Sequence, residues 1–274
     1  MTACRSLSII LIPLSFFVFV KPAFCEYNLA TGKEEIILIP SEKEVRMGES
    51  LSKQVENKMK PDDNYEYQEK VGNIGQKLAL ACDRKDIIYY FKVLANQEDE
   101  QNNYNAFALP GGYVYIFKAL LEKLDTDDEI AAILAHEIGH VSARHAMKRL
   151  QSSFGYEALR FLIIRGAEDS YSRYKANEAI NQLMLSYSRD DELEADRLAV
   201  RYLKKAGYKQ EAMLTVLDKL LKLEMQGPIR PKRYWYTHPY LGDRRGAMSQ
   251  EITGQMDFDD YINYTPDEGY IVRR

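Results

Sequence analysis

Apolar residues recur at helical spacing over most of this chain and alternate at period two in one short region, a pattern that predicts a mostly helical α+β protein with a small sheet. Ser41-x-x-Glu44 reads as a capping box that opens a helix to about Met59, and Pro61-Asp62-Asp63-Asn64 breaks it. A second helix runs to about Cys82, with Val71, Ile74, Leu78 and Ala81 on one face. Ile87 to Leu94 reads as a strand and the polar run Asn96 to Asn103 as a loop. Phe107–Leu109, Pro110-Gly111-Gly112 and Tyr113–Phe117 read as strand, turn and strand, Pro before Gly being the order a type II turn requires. Thr126-x-x-Glu129 is a second capping box, opening a helix that continues to about Leu150. Residues 155–205 read as mostly helical, weakened near Gly166 and closed by Gly207 as a C-cap. A further amphipathic helix covers about 209–225, Gln226 to Gly242 is loop-like, and a short helix lies near 243–251.

The 274 residues, 46% of them hydrophobic, suffice for one sizeable core. Charge is nearly balanced, 37 basic side chains against 41 acidic, and the basic residues are scattered, so no nucleic-acid partner is expected. At the N-terminus Arg5 precedes the apolar stretch Ser8 to Val20, which has the length of a secretory core and is short for a membrane span. Ala23-Phe24-Cys25 offers a cleavage site after Cys25. The chain therefore divides into a signal peptide (1–25), an extended leader (26–40), one domain (41–253) and an acidic, Tyr-rich tail (254–274). Cleavage would leave 35 basic against 41 acidic residues and Cys82 as the lone cysteine, so no intrachain disulfide. Export without disulfides suits a periplasmic protein, with at most peripheral membrane association.

The chemistry lies at His136-Glu137-Ile138-Gly139-His140. Residues four apart project from one face of a helix, so both imidazoles can reach a single Zn²⁺. Glu137 is beside the first ligand without sharing its direction, and can serve as general base toward the attacking water. Of the four histidines, three fall between 136 and 145, and His238 is the fourth. On a continuous helix His145 would sit about 140° round from His140, out of reach of the same ion, and reads as a supporting or packing residue. The third ligand must come from elsewhere. Ser188 to Asp196 holds a candidate: on a helix Glu192 and Asp196 share a face and Glu194 points nearly opposite. Glu192 could bind the metal while Asp196 accepts the far N–H of a ligating histidine. Taken without the HExxH, the same stretch reads as a solvated acidic face.

Four segments together carry a resemblance. Asn105-Ala-Phe-Ala-Leu-Pro-Gly-Gly112, His136-Glu-Ile-Gly-His140 continuing to Arg144-His145, Ser188-Arg189-x-x-Glu192-x-Glu194-Ala-Asp196, and His238-Pro239-x-x-x-x-Arg244 occur in that order. Over about residues 41–250 the chain resembles metallopeptidase family forty-eight, the group of the CAAX prenyl protease, the HtpX heat-shock protease and the periplasmic BepA-like proteases. The resemblance implies a gluzincin-type zincin fold with its sheet beside the HExxH helix, one zinc ion per chain, Glu192 as third ligand and Asp196 as its supporting partner. It also implies active-site roles for His238 and Arg244. Either could stabilise the oxyanion of the tetrahedral intermediate, or His238 could bind the metal at rest. Asn105, Ala106, Phe107 and Ala108 could pair with an extended substrate through the main chain. The multi-span members carry transmembrane helices; none is legible here, which argues against prenyl-protein processing.

These readings imply an endopeptidase that hydrolyses peptide bonds by a metal-activated water, on unfolded or misassembled envelope proteins. The competing reading is a zinc-containing chaperone or binding module with little turnover. The sequence leaves substrate specificity and oligomeric state open.

Overall fold

Side-chain alternation along two strands explains how a small sheet comes to be buried on both faces. The computed structural model describes residues 25–96, 104–154, 170–226 and 234–254. The apolar N-terminal segment, nearly all of the Asn96–Asn103 loop, the region around Gly166 and the tail from residue 255 lie outside the described residues. The stretch read as an extended leader contains an antiparallel pair, β1 (Cys25–Asn28) and β2 (Lys33–Ile36). Helices α1 (Ser41–Lys58) and α2 (Tyr65–Ala81) follow, then strands β3 (Tyr90–Leu94), β4 (Ala106–Leu109) and β5 (Tyr113–Phe117). The strand expected from Ile87 begins at Tyr90. In the sheet β5 is central, parallel to β3 and antiparallel to β4. Between β4 and β5, Gly111 has φ 77 and ψ 13, the left-handed position that the Pro-Gly order demands.

Successive strand residues face opposite sides. Val114, Ile116, Ala106 and Ala108 join one hydrophobic cluster, while Tyr115, Phe117, Phe107 and Leu109 join the other. The first cluster is completed by α2, by α4 (Asp127–Ser142) and by α7 (Arg189–Ala206), α8 (Ala212–Gln226) and α10 (Leu241–Thr253). The second is completed by α1, by α5 (145–154) and by α6 (Ser170–Leu183). Two short helices, α3 (Lys118–Leu121) and α9 (Tyr234–Thr237), complete the described elements. The alanines of β4 lie on the α4 side, where small side chains let the HExxH helix approach the sheet.

Four local expectations are corrected. The Ser41 capping box does not form: Pro40 is the N-cap and no side chain caps the helix. Glu44 is instead buried between two buried guanidiniums, 2.8 Å from Arg84 Nη2 and 2.9 Å from Arg144 Nη2, and accepts from Gly111 N at 3.1 Å. A cap contributes about 1 kcal/mol, whereas leaving a buried charge unpaired costs about 3–5 kcal/mol, so the ion cluster claims the carboxylate. At the second box, Thr126 Oγ1 accepts from Glu129 N as expected, but the Glu129 carboxylate takes Asp125 N. The HExxH helix does not run to Leu150. It stops at Ser142, and Arg144 takes φ 56 before α5 begins at His145. That left-handed backbone is uncommon for a residue with a side chain and is held by Glu44, by Glu26 at 2.8 Å and by the Ile39 carbonyl at 2.9 Å. The stretch from Gln226 to Gly242, expected to be loop, includes α9 and the first residues of α10.

Candidate metal centre

The site is assembled where α4 crosses α7. Gly139 makes the close approach possible: a Cβ there would lie 2.7 Å from the Ala195 carbonyl oxygen. With the helices that near, the one-turn spacing of Glu192 and Asp196 brings both carboxylates against the face that carries His136 and His140. The start of α7 is set by a capping box of Ser188 and Asp191, and Gly207 ends the helix in the left-handed conformation. His238 arrives from the segment between α9 and α10, and Arg244 from α10. The six side chains brought together, His136, His140, Glu192, Asp196, His238 and Arg244, are all buried.

The ligand atoms of His136, His140, Glu192 and His238 lie within 4.8 Å of one another. His136 Nε2 is 3.0 Å from His140 Nε2, 3.3 Å from His238 Nδ1 and 3.5 Å from Glu192 Oε2. Glu192 Oε1 is 3.4 Å from His140 Nε2 and 3.1 Å from His238 Nδ1. Donors bound to one tetrahedral zinc at 2.0–2.1 Å stand about 3.3–3.4 Å apart, so these separations fit the edges of such a site. The charge count agrees. Three buried carboxylates, Glu137, Glu192 and Asp196, face one buried guanidinium, Arg244, and a divalent cation would balance the remainder.

The acid–base character of the group follows from burial and neighbours. Burial opposes the charged form of Glu192, but Arg244 and the surrounding histidines hold its carboxyl well below the usual range. Asp196 is likewise lowered against its burial by Arg244 and His136. Burial pushes the Glu137 carboxyl up. Burial drives His140 well below the ordinary imidazole value, keeping it neutral as a ligand must be. Burial and Arg244 oppose protonation of His136, yet the hydrogen bonds to Asp196 and Glu192 push it up to about 9. A metal ion at Nε2 would meet the same demand for positive charge.

Partners around the quartet orient it. His136 Nδ1 is 2.8 Å from Asp196 Oδ1. Arg244 donates from Nε and Nη2 to Asp196 at 2.7 and 2.8 Å, and its Nη1 lies 2.5 Å from Glu192 Oε2 and donates to the His238 carbonyl at 3.3 Å. Both Glu137 oxygens lack a hydrogen-bond partner, and His238 Nε2 stands 3.4 Å from Oε1. Asn105 joins the site indirectly: Thr237 Oγ1 donates to its side-chain oxygen at 3.2 Å, next to His238. Phe117 N donates to the Asn105 carbonyl, so by alternation the Ala106 and Ala108 main-chain groups face the free side of β4. Ala106 N there takes the Asn105 side chain at 2.9 Å.

Two tyrosines escaped the sequence reading. Tyr187 stacks on His140 with centroids 4.0 Å apart, and Tyr234 stacks on His238 at 4.3 Å. Tyr234 is four residues before His238 on α9, a helical spacing hidden by the loop assignment. His145, read as a supporting or packing residue on a continuous helix, lies against His140 because the break at Arg144 returns it there, with the two Nδ1 atoms 2.8 Å apart.

Sequence comparison agrees with this geometry. The chain is 30% identical over 195 residues to the beta-barrel assembly-enhancing protease of Escherichia coli (strain K12), a match covering 68% of this chain and 39% of that protein. It is 31% identical over 177 residues to the mitochondrial metalloendopeptidase OMA1 of Saccharomyces cerevisiae (58% of this chain, 48% of that one). It is 30% identical over 158 residues to the metalloprotease LoiP of Escherichia coli (57% and 60%). Residues 66–252, the span that supplies every side chain of the quartet, match Peptidase family M48, and the chain belongs to that family.

Proposed function

We propose that this chain is a zinc-dependent endopeptidase, exported to the periplasm, that acts on unfolded or misassembled envelope polypeptides. The observation carrying the reading is the buried quartet at tetrahedral spacing with an unpartnered Glu137 beside it. Imidazole nitrogens with one carboxylate suit zinc better than the all-oxygen shells of calcium or magnesium. His136, His140 and Glu192 would hold it. The ion, when bound, polarises the scissile carbonyl and acidifies a water. Glu137 takes the proton of the attacking water and passes it to the leaving amine, and its raised pKa suits both steps. Arg244 has its donors directed to Asp196, Glu192 and the His238 carbonyl, so it fixes the carboxylates and leaves the oxyanion to His238. His238 rests in the fourth position and moves to meet the substrate oxygen. The free side of β4 offers the Ala106 carbonyl and the Ala108 main chain to an extended peptide, a mode tolerant of sequence. The printed name of the beta-barrel assembly-enhancing relative supports an envelope role, and the apolar Ser8–Val20 segment supports export.

The test is cleavage of unfolded casein. A chelator should abolish it and one equivalent of Zn²⁺ per chain should restore it. Casein kept soluble but uncut, with zinc or without, would favour the binding-module reading instead. His238→Ala separates its two roles on a short unfolded peptide: opening the fourth position raises basal turnover, whereas loss of the oxyanion donor lowers kcat by about 10². An unchanged rate would make His238 a bystander, and a fall in kcat alone would leave it only the transition-state role.

A further inference from the structure

His145 is buried yet belongs to neither the quartet nor the Glu137 chemistry. Its Nδ1 meets His140 Nδ1 at 2.8 Å, and its Nε2 lies 3.2 Å from Glu194 Oε2 and 3.4 Å from Asp191 Oδ1. Glu194 is itself 7% exposed and pairs through Oε1 with Lys33 Nζ of β2 at 3.1 Å.

We propose that His145, backed by Glu194, is a positioning residue that fixes the tautomer and ring orientation of His140. The inference rests on the reading that His140 presents Nε2 to a metal. Two imidazole nitrogens at 2.8 Å share one proton: one must donate and the other accept. A ligand Nε2 offers its lone pair to the ion, so the ring proton of His140 sits on Nδ1. His145 Nδ1 then accepts, its own proton lies on Nε2, and the acidic pair Glu194 and Asp191 receives it. Every proton in the chain from His140 to Glu194 is thereby assigned, and with His140 Nε2 given to the ion no other tautomer satisfies both Nδ1 atoms. The backbone is built for this contact. On a continuous helix His145 would point away from His140, and the left-handed Arg144 turns it back. Arg144 is held in turn by Glu44, Glu26 and the Ile39 carbonyl. The two histidines of α4 thus have different supports: His136 leans on a carboxylate clamped by Arg244, His140 on a second imidazole.

Zinc affinity, measured by competition with a chelator, separates this role from simple packing. His145→Leu keeps the bulk and loses the acceptor, and should bind zinc roughly 10–100-fold more weakly. His145→Asn can set its side-chain oxygen where Nδ1 was, and should stay within a few-fold of the wild type. In the zinc-loaded wild type, nitrogen-15 NMR should show a coupling across the Nδ1–H···Nδ1 bond between the two rings, a readout that needs no variant to fold. Equal zinc affinity of the Leu variant and wild type, an Asn variant as weak as the Leu variant, or no coupling would each overturn the inference. A wild type that takes up no zinc would overturn the metal assignment as well, whereas tight wild-type binding beside an equally tight Leu variant overturns this inference alone.

Discussion

Glu137→Gln is expected to retain about one zinc per chain and to lose at least ~10² in kcat, with KM little changed. The reason is the separation of roles within one helical turn. The candidate ligand atoms belong to His136, His140, Glu192 and His238, and Glu137 is outside that set with both oxygens free of hydrogen bonds. An amide of the same shape fits the same buried space but cannot take a proton. Because the wild-type carboxyl already sits in a fully buried position that disfavours its charge, the neutral replacement should not destabilise the fold. Metal analysis and steady-state kinetics on unfolded casein check both halves. Turnover equal to the wild type would remove Glu137 as the base; loss of zinc would mean that it is a ligand.

Glu192→Ala should all but empty the site, and Glu194→Ala should weaken it far less. Glu192 Oε1 reaches both His140 Nε2 and His238 Nδ1, and its other oxygen holds Arg244. Its removal takes away a proposed ligand and leaves the buried guanidinium with Asp196 as its remaining carboxylate partner, a costly change. Glu194 points to the opposite side of α7 and touches the site only through His145, so its loss is felt at second hand. Its contact with Lys33 adds little, since that side chain is 62% exposed and screened by solvent. Asp196→Asn should fall between the two, at roughly 10–100-fold weaker binding, because an amide can still accept from His136 but answers Arg244 less well. Zinc content after dialysis against a graded chelator orders the three variants. Equal retention in Glu192→Ala and Glu194→Ala would refute the assignment of Glu192.

Much of the site was legible because helical spacing is a local property. The i, i+4 rule alone aligned His136 with His140 and Glu192 with Asp196 and set Glu194 aside. Strand alternation and the Pro-Gly turn located β4 and β5 almost to the residue, whereas the zincin-type arrangement of a small sheet beside the HExxH helix was implied by the family resemblance. Where the local rules failed, a distant partner had stronger claims. Glu44 looks like a capping residue until Arg84 and Arg144 arrive from forty and one hundred positions away. The helix that carries HExxH looks continuous to Leu150, since neither Ala143 nor Arg144 is a breaker by composition.

The sequence by itself determined the residue types, their spacing along each helix and hence which side chains could share a metal. Only the tertiary structure decided that His238 comes within 3.1 Å of Glu192, that Arg244 is bound to Asp196 and Glu192, and that His145 returns to His140. The physical reason is one of range. Periodicity and capping act within one or two turns, while these contacts join residues far apart in sequence or depend on one left-handed residue. That residue, Arg144, keeps its conformation because a buried carboxylate contributed by α1 holds it there.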